Sequence, residues 1–223
     1  MKARKLILII FVALAGMIFS VSAVQAYPVN VGDTVYLFNG LGSTAGGEFV
    51  IKKNLDDELF RTFCMETNEY IQLSTANSLK PFIISSITDY AENGGVGGQD
   101  ESNKDYLDTR TAYLYYHYSV GNLDDISAFT YTASGVDDLQ KAIWFIENEN
   151  NGDNNYLVDL ATDKWSDIGP VRVMNLAWGY NYNNTWGSIG SPAQSQLTLV
   201  PEPATMLLLG FGLLGLGLAR RKS

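Results

Sequence analysis

The chain is poor in the residues that staple small exported folds. It has one Cys and one His in 223 residues, with only six Pro. A single thiol cannot close an internal disulfide. With one imidazole beside it, it cannot complete a Cys/His zinc site either, so no metal or cofactor is expected and packing must hold the fold. Positive charge is also scarce: 15 Lys and Arg stand against 24 Asp and Glu, a net charge of −9. That leaves no basic patch able to neutralise a run of phosphates and argues against a nucleic-acid partner. Charged residues make up only 17% of the chain while 46% is hydrophobic, a balance that excludes disorder throughout.

What basic charge there is gathers at the two ends. Lys2, Arg4 and Lys5 precede an apolar run from Leu6 to about Phe19 and a small-residue exit ending at Ala26, the pattern of a secretory signal peptide over 1–26. At the other end Pro201-Glu202-Pro203 is followed by a Leu- and Gly-rich segment and then Arg220-Arg221-Lys222. As a helix, Ala204 to Ala219 would reach about 24 Å against a hydrocarbon core of about 30 Å, a marginal transmembrane span. The basic cluster should stay on the cytoplasmic side, placing everything before it across the membrane. The two prolines hold the preceding tripeptide extended. This order of features over 201–223 resembles the PEP-CTERM sorting signal of Gram-negative bacteria. The resemblance implies processing by an exosortase, transient membrane anchoring, and delivery to the cell surface or the exopolysaccharide matrix.

Residues 27–200 remain as one exported domain. Val29 to Phe38, Glu48 to Lys53, Leu59 to Glu66 and Glu69 to Leu73 read as strands between Gly and Asn/Asp turns. Pro81 to Tyr90, Val171 to Trp178 and Gln196 to Val200 add three more. A Gly/Asn/Asp-rich loop is expected from Glu92 to Lys104. Between these strands the period changes to that of a helix twice. The first stretch carries Leu107, Thr111, Leu114 and Tyr118, with Asp108 or Thr109 as cap. The second carries Val136, Leu139, Ala142, Ile143 and Ile146 behind a Ser134/Asp137 capping box. The expected fold is α+β, a β-rich domain with two helices inserted mid-chain.

Two residues stand out chemically. Cys64 lies on a strand apolar on both faces, as an interior strand is, and free Cys is commonly a small buried hydrophobe. Gln140 sits at the edge of the second helix's apolar face, one turn after Val136 and one before Trp144, so its amide is half buried and needs a partner. Phe63-Cys64-Met65 and Leu139-Gln140-Lys141-Ala142-Ile143-Trp144 resemble the paired signatures of bacterial surface thioester domains. The resemblance implies that the Cys64 sulfur attacks the Gln140 carbonyl, ammonia leaves, and the internal thioester is held for an amine-bearing partner. Phe63, Trp144 and Tyr113 are candidate shields against water. A wider resemblance links Phe63-Cys64-Met65-Glu66 with Asn68-Glu69-Tyr70, Thr111-Ala112-Tyr113-Leu114-Tyr115, the Gln140 helix, the Val171 to Leu176 strand and a last Gln194-Ser195-Gln196-Leu197 strand to other PEP-CTERM surface proteins, which have no established activity.

Other sites are open to reading. Cys64 with His117 would make a hydrolase dyad, although no nucleophile turn or third residue accompanies it. Glu147, Glu149, Asn151, Asp153 and Asn155 around Gly152 are spaced like a calcium loop, but the bidentate position of an EF-hand falls on Val158, which favours a solvated turn. Asn183-Asn184-Thr185 spells a glycosylation triplet. Trp178, Tyr180, Tyr182 and Trp186 could stack on sugar rings. Two functions follow: a single-use covalent attachment without enzymatic turnover, or a passive structural or polysaccharide-binding matrix component.

Overall fold

A computed structural model describes residues 29–43, 46–181 and 187–200. The signal peptide, the sorting segment with Pro201, Glu202, Pro203, Arg220 and Arg221, the glycosylation triplet, Tyr182 and Trp186 lie outside them.

The main element is a sheet of six antiparallel strands: β1 (Thr34–Ser43), β2 (Gly46–Lys52), β3 (Glu58–Thr62), β4 (Pro81–Thr88), β7 (Val171–Trp178) and β8 (Pro192–Leu199), in the order β3-β2-β1-β4-β7-β8. The chain leaving β3 continues onto β8. Cys64 bridges Gln196, Leu197 N–H donates to Phe63 C=O at 3.1 Å, and Met65 N–H donates to Ser195 C=O at 3.2 Å. The two edges therefore meet at this bridge and the sheet closes there into a barrel, while Glu58–Thr62 of β3 makes no ladder to β8. A short hairpin, β5 (Tyr90–Ala91) with β6 (Asp105–Tyr106), clamps the base of the expected Gly/Asn loop.

One expected strand is missing. Glu69 to Leu73 forms no strand, and its continuation meets the sheet only where Ser74 N–H donates to Leu37 C=O of β1 at 2.7 Å.

Four helices, not two, follow among the described residues: α1 (Thr109–Ser119), α2 (Leu123–Ile126), α3 (Ala133–Ile146) and α4 (Tyr156–Ala161). The two expected helices are α1 and α3. Asp108 caps α1, its carboxylate accepting from Arg110 N–H at 2.8 Å. The expected capping box at Ser134 does not form. Thr132 caps α3 instead, accepting from Gly135 N–H at 3.2 Å, while Asp137 accepts from Ser43 N–H at 2.7 Å and ties the helix to the end of β1. α4 escapes sequence periodicity because it is barely two turns long. It is fixed by Asn155, which caps Leu157 N–H and donates its amide to Asp138 C=O. No helix among the described residues is long and apolar enough to cross a membrane.

Two apolar cores result. The barrel interior holds Val35, Leu37, Phe49, Ile51, Phe60, Phe82, Ile84, Leu176 and Trp178, joined by Cys64 and by Trp144 from α3. The second lies between the helices and the β7–β8 side, with Phe63, Met65, Tyr115, Leu139, Ile143, Val173 and Leu197. The segment Phe63–Met65 separates the two, sending Cys64 into one and its neighbours into the other, as a strand's alternation requires.

Candidate functional site

The seam of the barrel brings Cys64 and Gln140 together. Past Thr62, which pairs with Phe49 of β2, β2 provides no further partner, so Cys64 has a free backbone edge on that side. Gln140 fills it from α3. Its Oε1 accepts from Cys64 N–H at 3.0 Å, and its Nε2 donates to Cys64 C=O at 2.9 Å. Gln140 is fully buried rather than half buried as expected. A primary amide is the one uncharged side chain type that can copy both halves of a peptide ladder in this way.

The thiol turns to the other side. Cys64 Sγ donates to Gln194 Oε1 at 2.9 Å and receives a weak contact from Gln196 Nε2 at 3.8 Å. Gln194 Nε2 donates to Glu66 C=O at 2.7 Å, so the amide facing the thiol is itself oriented. Gln196 Oε1 and Trp144 Nε1, both in this buried region, have no hydrogen-bond partner among the described residues. Such orphaned groups cost about 1–3 kcal/mol each and are commonly retained for function. Burial pushes the Cys64 thiol well above its ordinary range, with the Gln196 contact opposing and Glu66 adding to the shift. A thiolate is therefore strongly disfavoured while the seam is closed.

Glu66 follows on the same segment. One of its oxygens accepts from Ser195 N–H at 2.8 Å. Burial, and then the Glu69 carboxyl beside it, raise its pKa well above the usual carboxylate range. Its carboxyl is a strut across the seam whose burial disfavours the charged form.

Of the expected shields, Trp144 shares the barrel core with Cys64. Phe63 lies on the opposite face of its segment, edge-on to Tyr115 and Tyr118 at 6.5 and 4.9 Å. Tyr113 packs with His117 and Trp165 rather than over the thiol. His117 hydrogen-bonds Asn122 at 2.8 Å within that ring cluster, which withdraws it from a dyad with Cys64.

The expected solvated turn holds for Asn151 and Asp153, which are exposed, but not for the two glutamates. Glu147 and Glu149 are buried. Glu149 accepts from Thr67 N–H and Oγ1 at 2.8 and 2.6 Å and from Val96 N–H at 2.6 Å, while Glu147 accepts from Asp108 N–H at 3.2 Å. They tie three surface segments to the end of α3, and no cluster of metal-ligating side chains occurs among the described residues. Trp178, taken as a sugar platform, is fully buried against Phe82, and Tyr180 donates its hydroxyl to Gln72.

Gln194 and Gln196 belong to the last strand of the wider resemblance, which implies no role for them at the thiol. Their signal was present as two glutamines alternating on a strand whose other residues are apolar or small, a pattern that places two amides on one buried face.

The described fold is thus a closed antiparallel barrel with one buried thiol at its seam, ringed by three glutamine amides. Residues 199–222 match the family model of the PEP-CTERM protein-sorting motif. The chain carries this sorting signal, which marks an exosortase substrate and implies export and association with the cell surface. No curated protein and no solved structure matches the chain.

Proposed function

We propose that this exosortase substrate is a surface protein that attaches covalently, once, to an amine-bearing partner through a thioester between Cys64 and Gln140. The observation that carries the reading is the two-point hold of the Gln140 amide on the Cys64 backbone, at 3.0 and 2.9 Å, inside a buried core. The hold fixes the Gln140 carbonyl carbon beside the residue whose sulfur must reach it, and such fixing raises effective concentration by orders of magnitude. The thiol approaches that carbon by turning about its own Cα–Cβ bond, away from Gln194.

The S–C bond forms, the C–N bond breaks, and the thiol proton leaves with the amide nitrogen as ammonia. Cys64 N–H already donates to Gln140 Oε1 and is placed to stabilise the oxyanion of the tetrahedral intermediate. Capture reverses the roles: a partner amine attacks the carbonyl, the C–S bond breaks, and the amine's proton passes to sulfur. The burial that raises the thiol pKa also excludes water, so the acyl group is protected until a partner opens the seam. The chemistry consumes the site and has no turnover.

Intact mass tests the reading. The exported protein is compared with its Cys64→Ala and Gln140→Ala variants. Wild type alone should be lighter than calculated by one ammonia and should regain mass on incubation with methylamine. Three masses that equal their calculated values sink the thioester. A Gln194→Ala variant is included because Gln194 Oε1 is the acceptor nearest the thiol: loss of the deficit in that variant but not in Gln140→Ala would move the acyl group to Gln194.

The second reading is a passive structural or matrix component. It is favoured by the same thiol contact, in which Cys64 serves only as a buried donor to Gln194. It predicts no amine adduct under any condition.

A further inference from the structure

Beside β3, a cleft of about 530 Å³ opens between that strand, the α1–α2 corner and the segment leading to α3. Its volume lies in the range of small-molecule sites, about 300–1,000 Å³. The wall combines ring faces with paired charges. Tyr118, Phe129 and Tyr131 form one side, Tyr118 lying 6.1 Å from Phe129 and 6.3 Å from Tyr131. Glu58, Arg61 and Asp124 supply the polar side, with Arg61 Nε donating to Glu58 at 3.1 Å. Ser119 Oγ, also in the wall, has no hydrogen-bond partner among the described residues.

This wall is held from behind. Glu48 is buried, with Gly40 packed so closely against it that a Cβ there would stand 2.4 Å from Glu48 Cγ. The Glu48 carboxylate accepts from the Tyr131 hydroxyl at 2.7 Å, from Leu41 N–H at 2.9 Å, and from Arg61 and the Tyr118 hydroxyl. One buried anion thus fixes two rings and a guanidinium that face the cleft, the arrangement of a preorganised site rather than of loose surface side chains.

We propose that this cleft binds an uncharged hexopyranose unit of a glycan. A sugar ring presents an apolar C–H face for the aromatic wall, and hydroxyls that each donate and accept for the Arg61–Glu58 pair, Asp124 and Ser119. Charged ligands fit less well. The Arg61 guanidinium is matched by Glu48 and Glu58, leaving Asp124 to repel acidic sugars, and it lies 5.8 Å over the Tyr131 ring, on the face a ligand cation would use. The site is separate from the thioester chemistry and does not depend on it.

The test is calorimetric titration of the full chain with neutral, amino and uronic-acid oligosaccharides, beside Asp124→Ala, Tyr131→Ala and Cys64→Ala variants. Asp124 is exposed, so an unchanged melting temperature is expected for Asp124→Ala and its loss of binding reads the site rather than the fold; Tyr131→Ala also removes a donor to buried Glu48 and is titrated below its own melting transition. A neutral oligosaccharide should bind, at least tenfold more weakly in Asp124→Ala and Tyr131→Ala and unchanged in Cys64→Ala. Binding confined to amino or uronic-acid sugars, binding indifferent to both cleft variants, or no binding of any of the three classes overturns the proposal.

Discussion

Gln140 stands in for a missing strand at Cys64. Beyond Thr62 the backbone of this segment loses β2 on one side while keeping β8 on the other, and the Gln140 amide restores the lost pair of hydrogen bonds from a helix. The same contact that completes the barrel also places an acyl carbon beside the chain's one thiol.

The energetic part of this relationship is separable from the chemistry. In a Cys64→Ala background no thioester can form, yet the amide still bridges the backbone of residue 64. Adding Gln140→Ala to that background leaves a buried N–H and C=O without partners and should cost about 3 kcal/mol. Urea unfolding of the single and double variants reads the difference, and a cost near zero would mean the bridge contributes nothing.

Burial makes a second prediction about the thiol. In a Gln140→Ala protein Cys64 is free but remains in the apolar core it shares with Trp144, which raises its pKa. Iodoacetamide should modify it at least tenfold more slowly than it modifies the same protein in urea. Equal rates would show that the seam is open in solution.

The acidic residues at the end of α3 make stability depend on pH. Burial, with Asp105 and Asp108 nearby, pushes Glu147 up to about 8 from its ordinary 4.5, so the folded state binds a proton that the unfolded chain releases. Its contribution is fully present below pH 4.5 and is lost as pH rises towards 8, at up to about 1.4 kcal/mol per pH unit. Unfolding midpoints should therefore fall between pH 5 and 8, and Glu147→Gln should flatten the profile. An unchanged slope in the variant would exclude Glu147 as the source.

Glycine is required where the long loop crosses Glu149. A Cβ on Gly95 would stand 1.5 Å from Glu149 Oε1, the atom that accepts from Val96 N–H. Gly95→Ala should cost about 2 kcal/mol or more in chemical denaturation, with rapid amide exchange at Val96.

The tail can be tested without reference to the fold. Replacing Pro201, Glu202 and Pro203 by Ala removes the sorting tripeptide within the matched segment 199–222. The variant should accumulate as an unprocessed precursor in the membrane fraction, detected by its larger mass. Normal processing would place the recognition elsewhere in the tail.

Local signals in the sequence carried a large share of this structure. Alternation located β7 to the residue, all of β4, most of β2 and β3 and half of β1, and helical spacing located α1 and α3. Closure was invisible because it depends on three residues, Phe63 to Met65, meeting a strand some 130 positions away. The Cys64–Gln140 contact was legible from two flanking motifs. The part played by Gln194 and Gln196 was not, since a polar residue on a strand normally faces water, and only the closed seam turns these inward. Trp178 misled for the complementary reason: neighbouring Gly and Asn residues suggested a loop, whereas its position at the end of β7 buries it.

The strand that closes the barrel is also the last one before the sorting tail. Val200 follows β8 directly and is tied to Pro170 by a backbone hydrogen bond. Tension transmitted through the C-terminus of a tethered protein would therefore enter along the axis of β8. There the ladder to β7, from Val171↔Leu199 to Ala177↔Pro192, is loaded in shear along its length. Hydrogen bonds loaded this way resist together rather than unzip in turn, so the strand that would take such a load is the one whose Gln194 holds the thiol.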